Sequence, residues 1–547
     1  MAGTLSDHTG LQLLIIWKAV QTIGTTAMYN SDHTFRTIFK FSLIYMSSFV
    51  ILISLQWNGN GSIVVADVQS YIISGVNLIH YGTFLNAFGE PELWFPPLFP
   101  ILIGVFSLGG RIDPLLVGRL ITLISSCLTL VFVHKIGRYY FRSNTAGIGC
   151  STFLICNALF QQFASICLSQ SLATLLSTAG LAFWIDYQKN RKIVFIALFG
   201  LATGLGYLTR PEIAILFPLL LIIDWVYNKR RWRRLIIPYV ISCTIFSICS
   251  FPYIYFLKNH TGKWMISNKS EVNLASGRST YYGLPREYIN EKTLTMEFHK
   301  YPITKTSEIE RYFFNLREII LSYVEIYRFP IGIPVMSLAF IGLIICIRSN
   351  IGLVTWAIIV QFAYLFVAAR YAIGAAYLHA TLPAIALLSV AGARWFWKNL
   401  KETKRTGITI VILSIFAFTG LSIFEQVTRE ARWSMTQKNQ NVILRDAGLA
   451  FRQLGLNSGT MLELGGTVSY YSGLYRGRLT ENDLETNQRY AEHIYKKPIY
   501  IAVSSTQKTK YHPSISNLLY SRNDFPIMID WHDSHERVLI LRLDKNQ

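Results

Sequence analysis

Apolar residues in this chain come in blocks of roughly 17 to 23, the length a helix needs to cross ~30 Å of bilayer hydrocarbon. The blocks lie near 38–56, 114–133, 145–165, 171–187, 193–209, 211–227, 235–257, 331–347, 350–369, 372–393 and 407–424, with short polar stretches between most of them. The run Pro97 to Leu108 is a different case. It opens on Pro96, Pro97 and Pro100 and closes on Gly109 and Gly110, so it reads as a juxtamembrane or re-entrant helix. Leu11 to Trp17 is also too short to span, and without a basic stretch before it or a cleavage site after it, it reads as an interfacial or packed helix on the cytoplasmic side. Beyond residue 424 the pattern changes to strand-like "GTMLEL", "PIYIAVSS", "FPIMID" and "RVLILRL", with a helical "DLETNQRYAEHIY" among them. The predicted class is therefore an all-α multipass membrane protein of about eleven transmembrane helices with a C-terminal α/β domain. The division is a segment 1–37, a transmembrane unit 38–424 and an α/β domain 425–547.

Charge gives the blocks a direction. Alternate connections are basic: Lys135, Arg138 and Arg142; Lys189, Arg191 and Lys192; Lys229 to Arg234; Arg348; and Arg394 to Arg405. Cytoplasmic loops carry such an excess, which places the N-terminus inside. The long connections 57–113 and 258–330, and the domain after 424, then lie outside. The formal net charge of +20 follows from these loops. No motif that reads DNA or RNA accompanies it, so nucleic acid is not expected as a partner. Only 15% of the 547 residues are charged, against about a quarter in soluble domains. The seven cysteines fall in apolar segments without disulfide or zinc spacing and read as small core residues.

The candidate chemistry gathers on the outer side. Asp67, Tyr71, Ser74, Gly75 and Leu78 share one helical face just after the first block. Asp67 there reads either as a general base or as an N-cap. "FGEPELWFPPLFP" adds Glu90, Glu92 and Trp94 on a proline-stiffened backbone suited to a pocket rim, or simply to a loop entering a helix. "ATGLGYLTRPE" sets Arg210 at headgroup depth, as a phosphate ligand, a snorkelling cation or a partner for Glu212. "RYAIGAAYLHATLPAIALL" brings Tyr377 and His379 to the same side.

These stretches, in this order, resemble the lipid-linked-sugar-dependent glycosyltransferases of the GT-C fold. The similar segments are "ADVQSYIISGVNLIHYGTF", "WFPPLFP", "GLATGLGYLTRPE", "AAYLHATLPAIALL" and the C-terminal "TVSYYSGLYRGRL". Within that fold the likeness is to the dolichyl-phosphate-mannose protein mannosyltransferase and aminoarabinose transferase group, over roughly 38–545. The resemblance implies that Asp67 is the catalytic base, and that Arg210, Tyr377 and His379 bind the donor phosphate. Tyr71, Glu90, Glu92 and Trp94 complete the expected substrate-binding set. Three departures stand out: Gln170 where many relatives carry an acid, Phe95 where some carry a lysine, and Val68 where some carry a second acid.

The implied function is transfer of a sugar from a polyprenyl-phosphate donor to an extracytoplasmic acceptor, with inversion at the anomeric carbon. The membrane would be the plasma or inner membrane, or the endoplasmic reticulum with the site lumenal. Protein, lipid or polysaccharide could be the acceptor, and membrane lipids surround the spans. No cofactor is expected; metal use stays open, because the acids are few and scattered. The rival readings are a transporter or lipid flippase, and a ligase or polymerase using an oligosaccharide donor.

Overall fold

The computed structural model describes residues 66–86, 90–215, 233–268, 309–314, 332–349, 379–399 and 443–456, the strands and short helices of a sheet between 458 and 543, and a few single positions besides. The segment 1–37, most of 38–56, the blocks 350–369 and 407–424, most of 258–330, and Tyr377 lie outside the described residues.

The main helices are α1 (Ala66–Tyr81), α2 (Leu98–Phe106), α3 (Pro114–Phe141), α4 (Asn144–Ile155), α5 (Ala158–Ser165), α6 (Gln170–Asn190), α7 (Ile193–Thr209), α8 (Arg233–Thr261), α9 (Gly332–Ser349) and α10 (Leu382–Asn399). Among the described residues, Pro114–Phe141, Ile236–Thr261 and His379–Asn399 are long and apolar enough to cross a bilayer. A fourth candidate is a bent pair, Leu159–Ser165 with Gln170–Asn190, turned by 115° at the break.

Local chemistry sets where these helices begin and end. Asp113 caps α3 by accepting from Leu115 N at 2.9 Å, with Pro114 in the first turn where its missing N–H costs nothing. The apolar run after the double proline is α2, nine residues long and so only ~14 Å at 1.5 Å per residue. It cannot cross, as its sequence implied. The expected single span 145–165 is instead two helices. Asn157 accepts from Phe160 N at 2.9 Å and starts α5 afresh, because a short polar side chain competes for backbone N–H groups. Lys135 and Arg138, expected in a loop, lie in the last turns of α3, and Arg142 ends it with φ 47°. Cations are favourable at a helix C-terminus, so the helix runs on through the basic stretch.

At this end Lys135 pairs with Asp186, and Arg394 of α10 donates to the Phe141 carbonyl. Four cysteines are buried as expected, but Cys156 and Cys243 are exposed and Cys249 is half-buried, all as free thiols.

Two helix pairs touch backbone to backbone. A methyl group on Gly75 of α1 would sit 2.2 Å from the Pro100 carbonyl oxygen, and one on Gly104 of α2 would sit 2.1 Å from that of Gly75. Gly342 and Gly392 hold α9 to α10 in the same way. Small residues at such crossings let helices in a membrane gain close packing where the hydrophobic effect offers little.

The C-terminal region forms a five-stranded sheet in the order β2-β1-β3-β5-β4. Its strands are β1 (Thr460–Glu463), β2 (Tyr475–Arg478), β3 (Ile499–Ser504), β4 (Ile527–His532) and β5 (Arg537–Arg542). β1 is parallel to β2 and β3, and β5 is antiparallel to β3 and β4. Every residue of β3 is buried, which is why its sequence is a continuous apolar run.

Candidate active site

The loop that enters α2 is built around a buried acid. Glu92, 2% exposed, turns its carboxylate back on its own backbone: Oε1 accepts from Trp94 N at 2.8 Å and Phe95 N at 3.1 Å. This fixed turn sends neighbouring side chains into two different apolar clusters. Phe95 and Phe99 pack with Val68, Tyr71 and Ile72 of α1, while Leu93 packs with Tyr207 of α7 and Tyr253 and Leu257 of α8. Trp94 touches both. Glu90, by contrast, is exposed on a small hairpin closed by the Asn86 N to Glu90 O bond of 2.7 Å.

Asp67 is exposed in the first turn of α1. Ala66 before it is already helical, so Asp67 lies inside the helix and not at the cap position. A carboxylate in a first turn is favoured by the helix dipole. One turn on, Tyr71 is 4% exposed and its hydroxyl meets Ser169 Oγ at 3.1 Å. Its ring packs on Phe95 and Phe99, with centroids 4.6 and 5.1 Å away. Tyr71 is thus a packed strut between α1, the proline loop and the start of α6. Ser74 and Gly75 on the same face are buried as well, Gly75 against α2. The shared face is chiefly a packing face that leaves Asp67 at its open end.

Arg210 follows the last turn of α7 with extended backbone, and its Nη2 donates to Glu212 Oε1 at 3.1 Å. His379 is fully buried at the start of the apolar span His379–Asn399, where Nδ1 lies 2.7 Å from Thr174 Oγ1 on α6. Its ring stacks on Phe160 at 5.3 Å and meets Phe163 edge-on at 5.2 Å. The Thr174–His379 bond joins α6 to the start of α10. Gln170 is buried at the first position of α6, and its Oε1 has no hydrogen-bond partner.

Sequence reasoning passed over Arg119, which is 8% exposed in the second turn of α3 and acts electrostatically on Cys167, two residues before Ser169. The signal was present: a charge inside the apolar "LLVGRLITLI" is costly in a membrane and marks a functional position by default. Among the described residues no cluster of three or more histidine, cysteine or acidic side chains is arranged to hold a metal.

The family profile described as dolichyl-phosphate-mannose-protein mannosyltransferase matches residues 95–256, from the proline loop through most of α8. Over nine-tenths of its length the structure is similar to ArnT from Cupriavidus metallidurans bound to undecaprenyl phosphate. The TM-score is 0.56 at 12% identity, covering 90% of this chain and 97% of that one. The chain has the GT-C fold. A second GT-C structure, the oligosaccharyltransferase of Archaeoglobus fulgidus tethered to an acceptor peptide, aligns with TM-score 0.57 and 12% identity over 85% of this chain and 69% of that one.

In sequence, the undecaprenyl phosphate-alpha-4-amino-4-deoxy-L-arabinose arabinosyl transferase of Erwinia tasmaniensis is 22% identical over 204 residues, 36% of either chain. The corresponding transferase 2 of Pseudomonas fluorescens is 27% identical over 109 residues, 18% of this chain and 20% of that one. The aligned segments thus span a fifth to about a third of these curated relatives. The resemblance read from the sequence, to GT-C enzymes of the mannosyltransferase and aminoarabinose transferase group, is borne out.

Proposed function

We propose that this chain is an integral membrane glycosyltransferase that moves a sugar from a polyprenyl-phosphate carrier to an acceptor outside the cytoplasm. The observation that carries the reading is the GT-C likeness over nine-tenths of the chain, supported by an exposed Asp67 one turn before Tyr71, whose hydroxyl meets Ser169 at the head of α6. A polyprenyl phosphate keeps its tail in lipid and is already a good leaving group, so it needs cations at the departing oxygen more than a general acid. Arg210 is the cation for that phosphate, with His379 held behind it by Thr174 and Tyr377 as a further donor. Asp67 takes the proton from the acceptor as it attacks the opposite face of the sugar, and inversion follows. Tyr71 and Glu92 position the proline loop, while Glu90 and Trp94 line the approach.

The finer architecture belongs to the same proposal. About eleven spans form a unit over 38–424, with 57–113, 258–330 and the domain 425–547 on the outer side. Against a transporter or flippase stands the crowding of polar side chains at one end. The test is to incubate the purified protein with a polyprenyl-phosphate-linked sugar and a membrane extract, then follow the lipid by mass spectrometry. Release of free polyprenyl phosphate with labelled acceptor is the expected result. An intact donor moved between leaflets would establish the transporter instead.

A further inference from the structure

α3 connects the candidate site to a second, strongly charged place. It has 28 residues, a length of ~42 Å at 1.5 Å per residue. Near its start Thr122 Oγ1 donates to the Ala164 carbonyl at 3.1 Å, just before the head of α6. Its far end runs along α10. A methyl group on Gly137 of α3 would sit 3.5 Å from Leu387 Cδ2, and two turns further along α10 Arg394 donates to the Phe141 carbonyl.

Four cations meet at this junction. Arg138 stands one turn before Phe141 and Arg142 directly after it, while Lys398 follows Arg394 by four residues on the same helical face. Arg394 is held by the carbonyl. Arg138, Arg142 and Lys398 form no ion pair among the described residues, and Asp186 on neighbouring α6 is taken by Lys135. Arg142 and Lys398 are exposed. So are three aromatic side chains interleaved with them: Tyr139, Trp395 and Trp397.

We propose that the α3–α10 junction binds the phosphodiester headgroup of an acidic phospholipid, at the end of α3 remote from the candidate active site. Like charges four residues apart on a helix are unfavourable by themselves, and an anion seated among them removes that cost. Guanidinium groups match phosphate oxygens in charge and shape. The exposed tyrosine and tryptophans decide between a lipid and a soluble acidic partner. Such rings concentrate where a helix passes from hydrocarbon to headgroups, so the cations beside them stand at phosphate depth. Basic clusters between membrane helices are suited to acidic headgroups for this reason. Positive charge that served only to orient the chain during insertion would need neither the Arg394–Phe141 bond nor the aromatic neighbours. The proposal is independent of the transfer reaction.

The test uses the purified full-length protein in neutral detergent, titrated with dioleoyl phosphatidylglycerol or dioleoyl phosphatidylcholine, with bound lipid counted by native mass spectrometry. Wild type should hold phosphatidylglycerol the more tightly. Each cation near an acidic lipid surface is worth about fivefold in affinity. The double variant Arg138→Gln/Arg142→Gln should therefore lose on the order of tenfold or more for phosphatidylglycerol and keep its affinity for phosphatidylcholine. Lys398→Gln, an exposed position on the other helix, should lose affinity in the same sense. A control, Lys189→Gln/Lys192→Gln, removes the same charge from the α6–α7 turn and should change binding much less. Millimolar inorganic phosphate should leave the lipid in place.

Equal affinity of wild type for the two lipids would overturn the proposal. Equal losses in the junction and control variants would overturn it too, because diffuse positive charge would then account for the binding. Displacement by inorganic phosphate would make the junction a free-phosphate site and overturn its assignment to lipid.

Discussion

Arg210 has two separable partners, Glu212 in the structure and a donor phosphate in the proposed reaction, and kinetics can tell them apart. Charge-assisted hydrogen bonds to phosphate are about twice as strong as neutral ones. Arg210→Ala should therefore raise the apparent KM for the lipid donor by roughly tenfold or more and change that for the acceptor little. Equal effects on both substrates would mean the guanidinium serves the fold through Glu212.

Residue by residue, the sequence was legible where the partner is local, as at Arg210, whose pairing with Glu212 two positions on was among its readings. It was silent where the role depends on a distant partner. Tyr71 looked like a pocket residue because it shares a helical face with Asp67, but its hydroxyl meets Ser169, 98 positions away in the chain. Glu92 looked like a free acid at a rim, yet it closes its own turn. Arg119 gave only a weak signal, since a single polar residue in an apolar helix does not reveal what it faces.

At the scale of elements, the α1–α2 crossing holds the proline loop against Val68 and Tyr71 and depends on two hydrogens in place of side chains. Gly75→Ala would push a methyl group to 2.2 Å from the Pro100 carbonyl oxygen, and backbone cannot swing aside as a side chain can. Overpacking of this kind typically costs about 1–3 kcal/mol. The variant should unfold several degrees lower in a detergent melt and lose transfer activity as α1 shifts; an unchanged melting temperature would contradict the contact. At the α4–α5 break, Asn157→Ala should cost about 1 kcal/mol, while Asn157→Ser, an uncharged residue that caps comparably, should cost less.

Helix positions were readable from apolar blocks because burial in lipid or protein imposes them. The break at Asn157 was not, since one cap in an apolar run is locally indistinguishable from a polar residue tolerated within a helix. The same asymmetry holds in the sheet. β1, β3, β4 and β5 announced themselves by apolar runs, whereas β2, "YRGR" at the sheet edge, has no such pattern and takes its place by pairing with β1.

For the whole molecule the proposal fixes a direction across the membrane. With the exposed native Cys156 and Cys243 first replaced by serine, single cysteines at Lys263 and Asn517 should react with an impermeant thiol reagent in intact cells. One at Lys398, in the last turn of α10, should react only after permeabilisation. The reverse pattern would invert the topology, and a split between Lys263 and Asn517 would mean an uneven number of spans separates them. The helical membrane architecture was legible because apolar blocks of spanning length recur along the chain. The juxtaposition of α6, α7 and α10 at the site was not, because Thr174 and His379 are 205 residues apart in the chain.

The central claim is that Asp67 is the base of a sugar transfer, and one comparison tests it most directly. Membranes from cells expressing wild type or Asp67→Asn, at matched protein levels, are supplied with labelled polyprenyl-phosphate-linked hexose, and both donor binding and release of polyprenyl phosphate are followed in time. Asparagine keeps the size of the side chain and gives up only a first-turn charge worth about 0.3–1 kcal/mol, so folding and donor binding should be nearly unchanged. Transfer should fall by a factor of roughly 10² or more, the usual scale for loss of a general base. Near-normal transfer by Asp67→Asn would make Asp67 a helix-end residue and contradict the mechanism.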